Sequence, residues 1–65
     1  MDEELKKEIL EQCKNTSREV IIRESKRNGE KPFGYIIDWI KDDYNLHKID
    51  AYPYAEMVMK YFGFE

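Results

Sequence analysis

The sequence predicts an all-α fold, a small bundle of three or four short helices with residues 1–65 forming a single domain. Three observations predict it. Apolar residues recur at helical spacing through most of the chain. Gly29, Asn45 and Gly63, residue types that end helices in the left-handed conformation, stand where three of those patterns stop. The stretch from Phe33 to Phe64 holds all three Phe, all five Tyr and the only Trp, in two apolar segments joined by a short polar turn.

Residues 2–14, DEELKKEILEQCK, read as the first helix. Acids crowd its first turn, where they suit the positive end of the helix dipole. Leu5, Ile9 and Cys13 recur at spacing four, with Leu10 beside them. Asn15, Thr16 and Ser17 interrupt, and Thr16–Glu19 has the form of a capping box. A second helix is therefore expected from about Ser17 to Asn28. The rival is one helix through residues 2–28, because Thr16 and Val20 continue the same stripe within about 80°.

Val20, Ile21 and Ile22 are β-branched and lower helix preference, and Asn28-Gly29 is also a hairpin signal. The main structural alternative is thus α+β, with a hairpin at residues 19–37. Helix is preferred because Gly29 fits a C′ position behind Lys26 and Arg27, and because a lone hairpin is a weak element.

Pro32 opens the third helix at its first position. Phe33, Ile36, Ile37, Ile40 and Tyr44 fall within about 100°, the width of a core stripe. Tyr35 and Trp39 lie on its flank. Gly34 weakens the first turn, or lets another helix approach. Asn45 ends this helix, and Leu46 and Ile49 are expected to anchor the turn while His47 and Lys48 point out. Asp50 reads as N-cap of the last helix, with Pro53 still in its first turn. Ala51, Tyr54, Ala55, Val58 and Phe62 make its inner face, and Pro53, Glu56 and Lys60 its outer strip. Gly63 stops it, with Phe64 placed to fold back.

At 65 residues the chain is near the lower limit for unaided folding, with a core supplying roughly 3–5 kcal/mol. A disulfide within the chain is excluded because Cys13 is the only cysteine. No apolar run reaches the roughly 20 residues of a membrane span. The acidic start, MDEELKKEIL, is unlike a signal or transit peptide, and the free cysteine points to a reducing, cytoplasmic setting.

Function classes narrow in the same way. One Cys and one His cannot fill a zinc site without several carboxylates. Asp42-Asp43-Tyr44-Asn45 lacks the central Gly and the twelfth-position Glu of a calcium loop. No glycine pattern cradles phosphate, and Cys13 has no local base to activate it. No catalytic, metal or cofactor residue is assigned and no cofactor is expected: the reading is a non-enzyme.

The aromatic excess is more informative. The core stripes leave over Tyr35, Trp39, Tyr52 and Met57, with Asp42 and Asp43 adjacent to the first two. Aromatics and Met are enriched at protein interfaces, and Trp and Tyr lead among hot spots. Tyr35, Trp39, Asp42, Asp43, Tyr52 and Met57 are therefore the expected protein-binding surface, suited to a basic partner. Small acidic, aromatic-rich domains of this kind are common among bacterial and phage regulators and inhibitors. The expectation is a small regulatory or inhibitory module that binds a macromolecule, most readily a protein.

Two other readings stand beside it. Net charge is −3 but uneven. Residues 14–31 carry six bases against three acids, between two segments that each carry −3. Arg18, Arg23, Lys26, Arg27 and Lys31 thus form a candidate nucleic-acid-binding patch. Trp39–Tyr44, the turn, and Asp50–Phe62 have the outline of a helix–turn–helix, although the second helix offers only Lys60 as a base. The last reading is a structural homo-oligomer, a homodimer being one form, which would support a marginal monomer.

Overall fold

The computed structural model describes all 65 residues. It is all-α, with α1 (Glu3–Cys13), α2 (Arg18–Arg27), α3 (Pro32–Asp43) and α4 (Lys48–Tyr61). The α3–α4 hairpin is the centre. α2 lies on α3, and α1 lies on α4. No helix is long and apolar enough to cross a membrane.

The helix ends explain this order. Asp2 caps α1, its carboxylate accepting from the Glu4 N–H at 2.9 Å and the Leu5 N–H at 3.3 Å. α1 then closes in a tight turn, in which the Lys14 and Asn15 amides reach back three residues to the Glu11 and Gln12 carbonyls. The other three helices end alike. Gly29, Asn45 and Gly63 adopt φ of 68°, 53° and 76°. The following amide, of Glu30, Leu46 or Phe64, donates to the carbonyl of Ser25, Lys41 or Met59 at 2.8, 3.0 and 2.9 Å. This 6→1 bond is the Schellman closure, which satisfies a carbonyl the helix itself leaves without a donor.

The core draws on every helix: Ile9 and Cys13 from α1, Ile21 from α2, Ile36, Ile37 and Ile40 from α3, and Ala51, Tyr54, Ala55 and Val58 from α4. Ile40 is fully buried. Truncating such a residue to Ala costs about 2–5 kcal/mol, as much as a core of this size supplies. Ser25 is the one buried polar side chain, and its hydroxyl donates to the Ile22 carbonyl at 2.9 Å. Phe64 folds back as expected, and the Arg18 guanidinium sits 4.9 Å from its ring centroid, a cation–π contact that ties the chain end to the start of α2.

Several expectations are corrected. There is no hairpin at residues 19–37, since α2 runs through the β-branched run, with Ile21 buried, to the Gly29 closure. The chain does break after Cys13, so residues 2–28 are two helices. The cap is Ser17, not Thr16. Ser17 is extended and its Oγ accepts from the Val20 N–H at 3.2 Å, which leaves Glu19 one position short of closing a capping box. α4 begins at Lys48 behind His47, not behind Asp50. Pro53 is therefore the sixth helical residue and provides no N–H for the Ile49 carbonyl. Ile49, expected to anchor the turn, is 83 % exposed. Gly34 admits no neighbouring helix: a Cβ there would meet only the Glu30 carboxylate, at 4.0 Å.

Candidate protein-binding surface

The structure divides the six expected binding residues among three places. Tyr35 and Trp39 are half-buried. With Ile21, Gln12, Asn15 and Thr16 they line a cavity of about 210 Å³ where the α1–α2 turn meets α3. Their spacing of four puts both rings on one ridge of α3, and Asp43 continues the row. The break after Cys13 makes this cavity, because the turn carries the polar side chains of Asn15 and Thr16 across the flank of α3.

Asp43 is exposed and lies near Tyr44, which α1 flanks with Glu4, Glu8 and Glu11 against a single base, Lys7. The Tyr44 phenol is pushed up from its ordinary value, first by burial and then by the charges of Glu8 and Asp43. α1 and the end of α3 thus share one acidic surface. Asp42 is also exposed but sits at the α3–α4 turn with Lys41, His47 and Lys48.

Tyr52 and Met57 are elsewhere, beside Met1, Lys6, Pro53, Glu56 and Lys60. The Tyr52 ring also stands edge-on to Phe33, with centroids 5.0 Å apart. The wheel joins Ile49 to this group, since four residues of α4 turn only about 40° from Ile49 to Pro53. Ile49, Tyr52 and Pro53 make an exposed apolar face on the first half of α4. Tyr52 and Met57 belonged to the sequence reading. Ile49 escaped it, and the signal that would have found it is its spacing of three and four from Tyr52 and Pro53.

The carboxylates of α3 are free of ion pairs. The three pairs in the molecule are Lys14–Glu11 at 3.0 Å, Arg27–Glu24 at 3.4 Å and Arg23–Glu24 at 3.6 Å. Asp38, Asp42 and Asp43 enter none of them. Asp38 stands next to Glu30 and raises its carboxyl above the ordinary glutamate value. A hydrogen bond between the two is the main cause, followed by partial desolvation and the Asp38 charge.

The basic residues form a looser set. Arg23, Lys26 and Arg27 line one shallow face of α2 with Glu24, which pairs with both arginines. Arg18 is at the far end of α2, over Phe64, and Lys31 is the N-cap of α3. Cys13 is buried, and burial pushes its thiol up to about 11. No cluster of three or more His, Cys, Asp or Glu side chains converges as a metal shell.

No protein-family model, curated protein or solved structure matches this chain. The fold defines a class: a small all-α bundle of four helices.

Proposed function

We propose that the protein is a non-enzymatic regulatory or inhibitory module that binds another protein through the aromatic and acidic flank of α3. The observation that carries this reading is the row Tyr35–Trp39–Asp43. Two large rings stay half-buried at a cavity mouth, and the adjoining carboxylate makes no ion pair. Aromatic anchors beside a pocket are the usual source of binding energy in an interface. The buried thiol of Cys13 is consistent with work in a reducing, cytoplasmic setting. The test compares capture of a host protein by the wild type and by Asp43→Lys. The new cation falls in the last turn of α3, where the dipole favours it, so folding is retained. Loss of the captured protein supports the reading, and equal capture contradicts it.

The basic face of α2 favours a second reading, nucleic-acid binding through Arg23, Lys26 and Arg27. Glu24 between them lowers the net charge available to phosphates. Retention on mixed duplex DNA at low salt, lost in Arg23→Glu/Lys26→Glu, would establish it. The apolar face at Ile49 favours a homodimer, for which sedimentation over a concentration series is the test. A monomer at every concentration, for both the wild type and Ile49→Asp, would remove that reading.

A further inference from the structure

The cavity at the α1–α2 corner is small. At about 210 Å³ it lies below the roughly 300–1,000 Å³ of sites for drug-sized ligands and cofactors. It has room for one long side chain. Its lining is half apolar and half polar: Tyr35, Trp39 and the buried Ile21, together with Gln12, Asn15 and Thr16.

Carboxylates of α3 flank the two rings. Asp38 follows Tyr35 by three positions and Asp43 follows Trp39 by four, so both carboxylates are surface neighbours of the rings. Both are exposed and without ion pairs. Glu30 adds a third carboxylate beside Asp38. Of the nearby cations, Lys14 pairs with Glu11 at 3.0 Å and Arg18 lies over Phe64, while Lys31, four positions before Tyr35, stands outside the ion pairs. The faces of aromatic rings are themselves electron-rich.

An occupant matching all of this is long, planar, cationic and rich in donors. A guanidinium stacks on an indole or phenol face, forks its N–H groups toward amide and hydroxyl oxygens, and answers the carboxylates outside. An ammonium group carries the charge without the plane. We propose that this cavity takes an arginine side chain from a basic segment of the partner protein. The proposal rests on the protein-binding reading and specifies what that partner must offer.

Trp39 is the only tryptophan, so its emission reports on this cavity alone. The probe is a capped Gly-Arg-Gly tripeptide titrated into the intact protein, with the citrulline and lysine versions as controls. Citrulline keeps the shape and removes the charge. The expected result is a saturable change in Trp39 emission with the arginine peptide, a weaker one with lysine and none with citrulline. In Asp38→Asn/Asp43→Asn the arginine affinity falls about threefold or more, the size expected of two exposed charge contacts. Equal binding of the citrulline peptide, or unchanged arginine affinity in the double variant, overturns the proposal. So does a Trp39 response to short DNA with none to the arginine peptide. If no peptide acts while the captured partner protein still alters Trp39 emission, the arginine proposal fails and the protein-binding reading survives. If neither acts, both fail.

Discussion

The backbone N–H of Asp2 donates to the Tyr54 hydroxyl at 2.8 Å, across 52 positions of sequence. The Tyr54 ring lies in the core, only 6 % exposed, and its oxygen fixes the start of α1 against α4. The same Asp2 caps α1 with its side chain. One residue therefore both begins the first helix and docks it on the last.

Tyr54→Phe keeps the ring and removes the acceptor. The expected loss is about 0.5–1.5 kcal/mol, the net worth of one such bond. Urea unfolding measures it, and amide exchange at Asp2 should quicken in parallel. No change in either would mean that packing alone holds α1.

Ser17→Ala removes the cap of α2. Stability should fall by about 1 kcal/mol, while Thr16→Ala should cost clearly less. Denaturant melts of the two variants decide between the neighbouring hydroxyls. The reverse order would move the cap back to Thr16.

Pro53→Ala restores an N–H opposite the Ile49 carbonyl. An interior proline costs a helix about 3 kcal/mol, and its stiffening of the unfolded chain returns up to about 1. The variant should therefore be more stable by about 2 kcal/mol. A higher melting temperature is the expected outcome, and a lower one would show that the proline serves packing.

Asp38→Asn tests the crowded carboxyl pair. The folded-state value of Glu30 is raised, so the stability it carries is present below the ordinary glutamate range and is lost as pH rises through the raised value. Asp38→Asn removes the charged neighbour that helps to raise the Glu30 carboxyl. The variant should melt higher than the wild type above the raised Glu30 value, and the gap should narrow as pH falls through it. A gap independent of pH would contradict this.

Cys13 should resist thiol reagents in the native state. With its thiol pushed up to about 11, roughly one in a thousand is ionised at about pH 8. Labelling should follow opening of the fold, and denaturant should speed it sharply. Fast labelling of native protein would mean that the α1 face opens locally. The sign for stability is the same as for Glu30: the contribution is lost as pH rises through about 11.

Much of the fold was legible because its signals are local. The spacing-four stripe of Leu5, Ile9 and Cys13, the Ile36–Ile37–Ile40 face and the helix ends at Gly29, Asn45 and Gly63 each depend on a few adjacent residues. The start of α4 was not legible. Asp50 is the stronger cap residue, but the closure at Asn45 and Leu46 returns the chain to the core early enough for Lys48 to begin the helix. That shift puts Ile49 on the outer face with Tyr52 and Pro53. The flank of Tyr35 and Trp39 could be read from the helical wheel. Its partners Gln12, Asn15 and Thr16 could not, because they are brought there by the α1–α2 turn, which joins a helix lying on α4 to one lying on α3. Ser25 was missed for a similar reason: a serine gives no apolar signal, and it is buried because α2 lies on α3.

The most direct test of the central claim is chemical-shift mapping of isotope-labelled protein titrated with the partner that it captures. Shifts should concentrate at Tyr35, Asp43, Gln12, Asn15 and the Trp39 indole N–H. Shifts confined to Arg23, Lys26 and Arg27, or to Ile49, Tyr52 and Pro53, with the Trp39 indole unmoved, would contradict it.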